Sequence, residues 1–175
     1  MKTCIILSAI PGSGKSTWAH TFQQTHPNTH IVSSDDLRKE LYGSVTNFEH
    51  EDIVWKTFLE RLQNFATLGD DVYGIADATC LQNKFRLFYL QNTPGYDKHI
   101  LILFNIPYST CLKQNKMREN ERVLPLPAME KLKNEYEEPS DEVKKAYDEI
   151  LVVKEKRTPS EMSHGIYDFV TKKEI

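Results

Sequence analysis

Seven consecutive residues, Pro11-Gly12-Ser13-Gly14-Lys15-Ser16-Thr17, carry a pattern suited to gripping phosphate. Glycines at 12 and 14 let backbone N–H groups converge on phosphate oxygens, and a helix starting just afterwards adds the partial positive charge of its N-terminus. Lys15 is placed to reach the terminal phosphates of a nucleoside triphosphate such as ATP, and the Ser16 hydroxyl to ligate the accompanying Mg2+. With Ala9 and Ile10 in front, the stretch follows the Walker A arrangement, except that alanine holds the first glycine position. That position only turns the strand into the loop, so alanine is expected to be tolerated. At average residue frequencies, G-x-G-K-S-T arises by accident in such a chain with probability on the order of 10⁻⁴.

Three other segments supply charged groups for transfer chemistry. Ser33-Ser34-Asp35-Asp36-Leu37-Arg38 closes a short apolar run. A carboxylate there, Asp35, can take the proton of an acceptor hydroxyl and orient its attack. Arg38, one turn on, can clamp an acceptor phosphate. The same stretch also reads as a helix capping box, Ser33-x-x-Asp36. Asp77, in Ile75-Ala76-Asp77-Ala78-Thr79-Cys80, is an acidic strand end expected to serve either the magnesium shell or the acceptor. Arg118 and Arg122, four residues apart, are expected on one helical face as a lid that neutralises the triphosphate in the transition state. Glu119 and Glu121 between them also suit a plain solvated helix.

These groups need a scaffold that brings them to one edge. Residues 3–8, 30–33, 72–76, 99–104 and 149–153 read as strands. Residues 15–24, a start at Ser33–Asp36, 48–68, 83–91, 109–118 and a proline-punctuated stretch around 129–136 read as helices. On the long helix, Ile53, Phe58, Leu62 and Phe65 are expected near one face, with His50 and Glu51 exposed. The alternation predicts an α/β fold: a five-stranded parallel sheet with the P-loop strand central, helices on both faces and a helical lid at about residues 115–127. The tail after Pro159 leaves a short strand or helix open.

Bulk properties agree. The chain has 175 residues, 39% hydrophobic and 27% charged, as expected for one globular domain spanning 1–175. No apolar stretch approaches the ~18 residues that cross a bilayer. The apolar run at 4–10 stops at Pro11-Gly12 and is expected to be a buried strand, not a leader. Three widely spaced cysteines, Cys4, Cys80 and Cys111, lack metal-ligand or disulfide spacing and are expected as buried fillers in a reducing cytoplasm. A net charge of −3 argues against a long basic groove, so a nucleic-acid partner is expected to be held through few phosphates.

Pro11 to Ala19 followed by Asp35-Asp36-Leu37-Arg38 resembles the kinase domain of the bacteriophage polynucleotide 5′-hydroxyl kinase family. The likeness continues in order through Asp77-Ala78-Thr79, then Asn105-Ile106-Pro107, Cys111, Asn115, Arg118, Arg122-Val123 and Pro125, over roughly the first 140 residues. The resemblance implies a P-loop kinase using ATP and Mg2+ on a nucleic-acid end or nucleotide. It implies Lys15 and Ser16 on the triphosphate, Asp35 as base, Arg38 on the acceptor's 3′-phosphate, and Arg118 as lid arginine. It also places Asp77 and Thr79 in the acceptor pocket. The departures are Ser34 for an arginine, Cys80 for an asparagine and Gln114 for a basic residue, all toward the acceptor. No D-x-D-x-T phosphatase signature is present, so a kinase domain alone is expected. Kinases of a hydroxymethylated base, or of a nucleoside, nucleotide or sugar nucleotide, are alternative acceptor classes. A nucleotide-binding ATPase switch is the alternative outside kinases.

Overall fold

A computed structural model describes residues 1–154 and the backbone of 170–172. In chain order the elements are β1 Lys2–Ser8, α1 Lys15–Thr25, β2 Thr29–Ser33, α2 Ser34–Tyr42, α3 Glu51–Phe65, β3 Val72–Asp77 and α4 Asn83–Gln91. They continue with β4 Lys98–Asn105, α5 Tyr108–Lys116, a 3-10 turn Asn120–Arg122, α6 Leu126–Glu135, α7 Asp141–Ala146, β5 Glu149–Lys154 and β6 Val170–Lys172. Strands β2-β3-β1-β4-β5 pair in parallel in that order, with β1 in the middle as expected. The tail adds β6, antiparallel on β5. Apart from that strand, the stretch after Pro159 lies outside the described residues.

The alternation of side chains along β1 explains the layering. Cys4 and Ile6 enter one core with Leu37 of α2, Val54, Phe58 and Leu62 of α3, Tyr89 of α4 and Val143 of α7. Ile5 and Leu7 enter the other with Trp18, Ala19 and Phe22 of α1. A strand buried on both faces reads as a continuous apolar run, which is the sequence signature at 3–8. Each of these large side chains contributes about 1.5–3 kcal/mol by leaving water.

Local details differ from the sequence reading at three places. The long helix spans only Glu51–Phe65, and its buried stripe is Val54, Phe58 and Leu62, at intervals of four. Ile53 is exposed instead, because the stripe falls one residue later. The short helix α7 was not expected; Ser140 caps it by accepting the Val143 N–H, and the Ser140-Asp141-Glu142 start is the signal that marks it. His50 is half-buried, stacked on Tyr42 at 4.1 Å.

At the opposite end of the sheet from the phosphate loop, His99 bonds the Thr93 hydroxyl at 2.7 Å and meets the rings of Tyr96 and Tyr147. Burial is the main cause that lowers its pKa below the usual imidazole value. The unfolded chain therefore binds the proton more readily, so stability is full above the unfolded value and falls as pH drops through the folded one. Thermal unfolding from pH 7.5 to 5 should show the wild type losing stability relative to His99→Gln. A constant difference would exclude this histidine as a source of acid sensitivity.

Candidate active site

Parallel strands bring their carboxyl ends to one edge, where the loops after β1, β2 and β3 meet. The Ala9 N–H donates to the Thr79 carbonyl at 3.0 Å, locking the end of β1 to the segment after β3. Ala9 is buried without a left-handed backbone, which is why alanine serves there. Behind it, fully buried Arg86 donates to Ser8 Oγ at 3.0 Å and to the Glu137 carbonyl at 2.7 Å. Gly12 and Gly14 hold φ values of 84° and 89°, the left-handed turn that a phosphate loop requires and that side chains resist.

The two glycines differ in surroundings. A Cβ on Gly12 would lie 2.2 Å from the Cys111 carbonyl oxygen, whereas one on Gly14 would meet nothing within 4 Å. The loop thus packs backbone to backbone on α5. Gly14→Ala should cost the nucleotide-free protein about 1 kcal/mol of conformational strain. Gly12→Ala should cost several times that and displace the loop or α5. Melting curves of both variants check this, and equal losses would contradict the packing.

Asp77 is almost fully buried and holds the two phosphate-loop side chains together. Lys15 Nζ lies 3.0 Å from its Oδ1, and Ser16 Oγ donates to its Oδ2 at 2.7 Å. Of the two roles left open for Asp77, its contacts are with the residues expected on phosphate and magnesium. The adjacent hydroxyl and carboxylate oxygens are hard donors of the kind Mg2+ takes. An open cleft of about 870 Å3 runs from Pro11–Thr17 past Phe104 and Ile106 to Arg118 and Arg122. These features fit a magnesium-bound nucleoside triphosphate.

On the acceptor side, Ser33 caps α2 by accepting the Asp36 N–H, so the capping box and the carboxylates coexist. Arg38 is buried and does not stand free as a clamp. Its Nε and Nη2 donate to the Glu51 carboxylate at 2.7–3.1 Å, and its Nη1 donates to Asp35 Oδ1 at 2.9 Å. Three of the five guanidinium N–H groups are thereby engaged, leaving two for a phosphate. Glu51, expected to be exposed, is instead the main counter-charge of Arg38. The guanidinium carbon also lies 4.8 Å from the Phe48 ring and 5.7 Å from the Trp55 ring.

The lid arginines do not share a helical face. Helix α5 ends at Lys116, and Arg118 precedes the 3-10 turn that ends at Arg122. The break has a cause in buried Asn115, whose side chain donates to the Leu124 carbonyl at 2.9 Å and accepts its N–H at 3.1 Å. That pair closes the lid into a loop which still brings both arginines to the cleft. Arg118 Nη2 lies 3.5 Å from Asp35 Oδ2, and Arg122 donates to Asp36 at 2.8 Å. Burial lowers the Arg118 pKa below its ordinary value, with Arg122 adding to this and Asp35 and Asp77 opposing it. Arg118 Nη1 and Arg122 Nε are buried with no hydrogen-bond partner among the described residues, as expected of groups awaiting an anion.

Residues 5–139 match the AAA_33 family of AAA domains. The chain belongs to this family. Its fold is that of the P-loop kinases. It is similar to a gluconokinase from Sinorhizobium meliloti 1021, at TM-score 0.61 and 15% identity, covering 96% of this chain and 87% of that one. It is similar to Kti12 of Chaetomium thermophilum in complex with ADP-AlF3, at 0.69 and 14%, covering 96% and 99%. A fungal RNA kinase matches at 0.64 and 16%, covering 91% and 77%.

Within this AAA domain the charged residues form two groups, Lys15 and Ser16 on Asp77, and Arg38 and Arg118 on Asp35. Thr79 is tied to the end of β1 through its carbonyl, which accepts from the Ala9 N–H. Cys80 occupies the left-handed region at φ 44°, a conformation asparagine tolerates better than most residues. Burial pushes the thiols of Cys4 and Cys80 up to about 12, so both are inert fillers, as expected. Glu51 and Phe48 are the residues that sequence reasoning missed. Neither carries a local motif, and their link to Arg38 exists only once α2 and α3 pack together.

Proposed function

We infer that this protein is an ATP-dependent phosphotransferase whose acceptor is a hydroxyl of a nucleic acid or nucleotide, foremost a polynucleotide 5′-hydroxyl end. The observation that carries the reading is the position of Asp35. One of its oxygens faces the acceptor-side Arg38 and the other faces the lid Arg118. A general base must touch the acceptor while lying beside the phosphoryl group under attack, and this carboxylate occupies such a border.

The roles follow from the contacts. The Gly12–Gly14 backbone and Lys15 hold the phosphates; Thr17 lies in the first turn of the helix whose dipole faces them. Ser16, backed by Asp77, would hold magnesium, which when bound neutralises charge on the β- and γ-phosphates. Asp77 thereby serves the donor rather than the acceptor. Arg118 and Arg122 exchange Asp35 and Asp36 for triphosphate oxygens as the lid engages, and Arg118 faces the charge that develops on transfer. Its departure uncovers Asp35 Oδ2, which can then accept the acceptor's proton. Arg38 keeps Glu51 and offers its two remaining N–H groups to an acceptor phosphate, and Thr79 is assigned to the acceptor pocket on the resemblance alone.

The ordered resemblance to phage polynucleotide kinases supports a nucleic-acid acceptor, as does similarity to an RNA kinase. Similarity to a gluconokinase keeps small hydroxyl compounds in the test. Three buried cysteine thiols, Cys4, Cys80 and Cys111, suit a cytoplasmic setting in a bacterium or an infected host, and no helix among the described residues is long and apolar enough to cross a membrane. Incubation with γ-labelled ATP and Mg2+ against 5′-hydroxyl DNA and RNA oligonucleotides, hydroxymethylated duplex DNA, nucleosides and sugars decides the acceptor. Label on the 5′-end is the expected result. Label appearing only as free phosphate would turn the reading to an ATPase.

A further inference from the structure

The acceptor side carries an aromatic side chain that the transfer chemistry leaves unused. Phe48 is 58% exposed, although its ring sits 4.8 Å from the Arg38 guanidinium carbon. Arg38 also lies 5.7 Å from the Trp55 ring and is neutralised by Glu51 and Asp35. The exposed ring is therefore not needed to compensate the buried charge. It lies one guanidinium away from the carboxylate assigned as base. The segment presenting it is set by its own bonds: Gly43 ends α2 with φ 80°, Thr46 N–H donates to Ser44 Oγ at 3.2 Å, and Glu49 N–H donates to Asn47 Oδ1 at 3.1 Å.

We propose that Phe48 is the stacking platform for the base of the acceptor's terminal nucleotide. The proposal rests on the phosphotransferase reading and adds what the acceptor must contain. Aromatic rings stack every base through its π-face, without hydrogen-bond readout. With the acceptor hydroxyl at Asp35 and the neighbouring phosphate at Arg38, the base is the part of a nucleotide left to reach beyond the arginine. A simple sugar has nothing to place there. The partner is thus a single-stranded nucleic-acid end of any sequence, gripped by one stacked base and few phosphates, which a chain of net charge −3 can accommodate.

The test compares two 5′-hydroxyl oligonucleotides that differ only in whether the terminal nucleotide has a base or is abasic. Transfer from labelled ATP is measured with the wild type, Phe48→Ala and Phe48→Tyr. One stacking contact corresponds to about a tenfold preference in kcat/KM for the base-bearing end. The wild type and Phe48→Tyr should show that preference, and Phe48→Ala should bring the ratio close to one. If Phe48→Ala slows both substrates and leaves the ratio intact, the ring merely shields Arg38 and the proposal falls. If the wild type labels no oligonucleotide but labels a sugar or nucleoside, the acceptor assignment itself is wrong. A wild type that labels both ends equally overturns the stacking role while leaving the kinase reading standing.

Discussion

Asp35→Asn should lower kcat by about 10²–10⁴ while leaving ATP affinity intact or slightly improved, because a general base acts on the acceptor alone. The substitution keeps the shape and an oxygen that can accept from Arg38 Nη1, now 2.9 Å away. Arg38 also retains its bonds to Glu51, so the acceptor side stays assembled. What disappears is basicity at the border between donor and acceptor. On the donor side the change works the other way. Arg118 loses the anion 3.5 Å from its Nη2 and becomes freer to meet a triphosphate. Separate measurement of kcat with the best acceptor and of the ATP dissociation constant tests this. Parallel loss of affinity and rate would place Asp35 on the magnesium or make it purely structural.

Lys15→Met should abolish transfer and also destabilise the nucleotide-free protein. Removing one transition-state charge partner costs about 3–4 kcal/mol, or roughly 10²–10³ in rate. From the motif alone, the lysine meets only phosphate oxygens, and its loss should leave the fold untouched. The structure adds a second consequence. Asp77 is 2% exposed, and Lys15 is its cation at 3.0 Å. Breaking a buried pair by removing one partner leaves an uncompensated charge, typically at a cost of about 3–5 kcal/mol. The Ser16 hydroxyl still donates to Asp77 and offsets part of this. In Lys15→Met/Asp77→Asn the stranded charge is gone, so the melting temperature should recover while transfer remains absent. If the single variant melts like the wild type, the ion pair is not a significant stabiliser of the nucleotide-free state.

Both predictions depend on pairings between residues distant in the sequence, and the same division runs through the whole molecule. The sequence by itself determined whatever is local. The phosphate loop is one contiguous string whose glycines, lysine and serine act through spacing alone, and its left-handed turns follow from residue type. The buried runs at β1, β3 and β4 and the capping serine before α2 are short-range patterns, and strand–helix alternation then dictates a parallel sheet. Only the tertiary structure decided what each charged group faces. Arg38 finds Glu51 thirteen residues away, Ser16 finds Asp77 at a separation of 61, and Arg122 finds Asp36 at 86. Such partners leave no periodicity, because each is a surface-type residue on its own element and meets its partner only when the elements pack. The lid shows the limit most clearly. Arg118 and Arg122 have helical spacing, yet Asn115 finds better partners in the Leu124 backbone than in continuing α5. A buried amide satisfied on both sides outweighs a weak local helix preference, and that competition is settled in three dimensions.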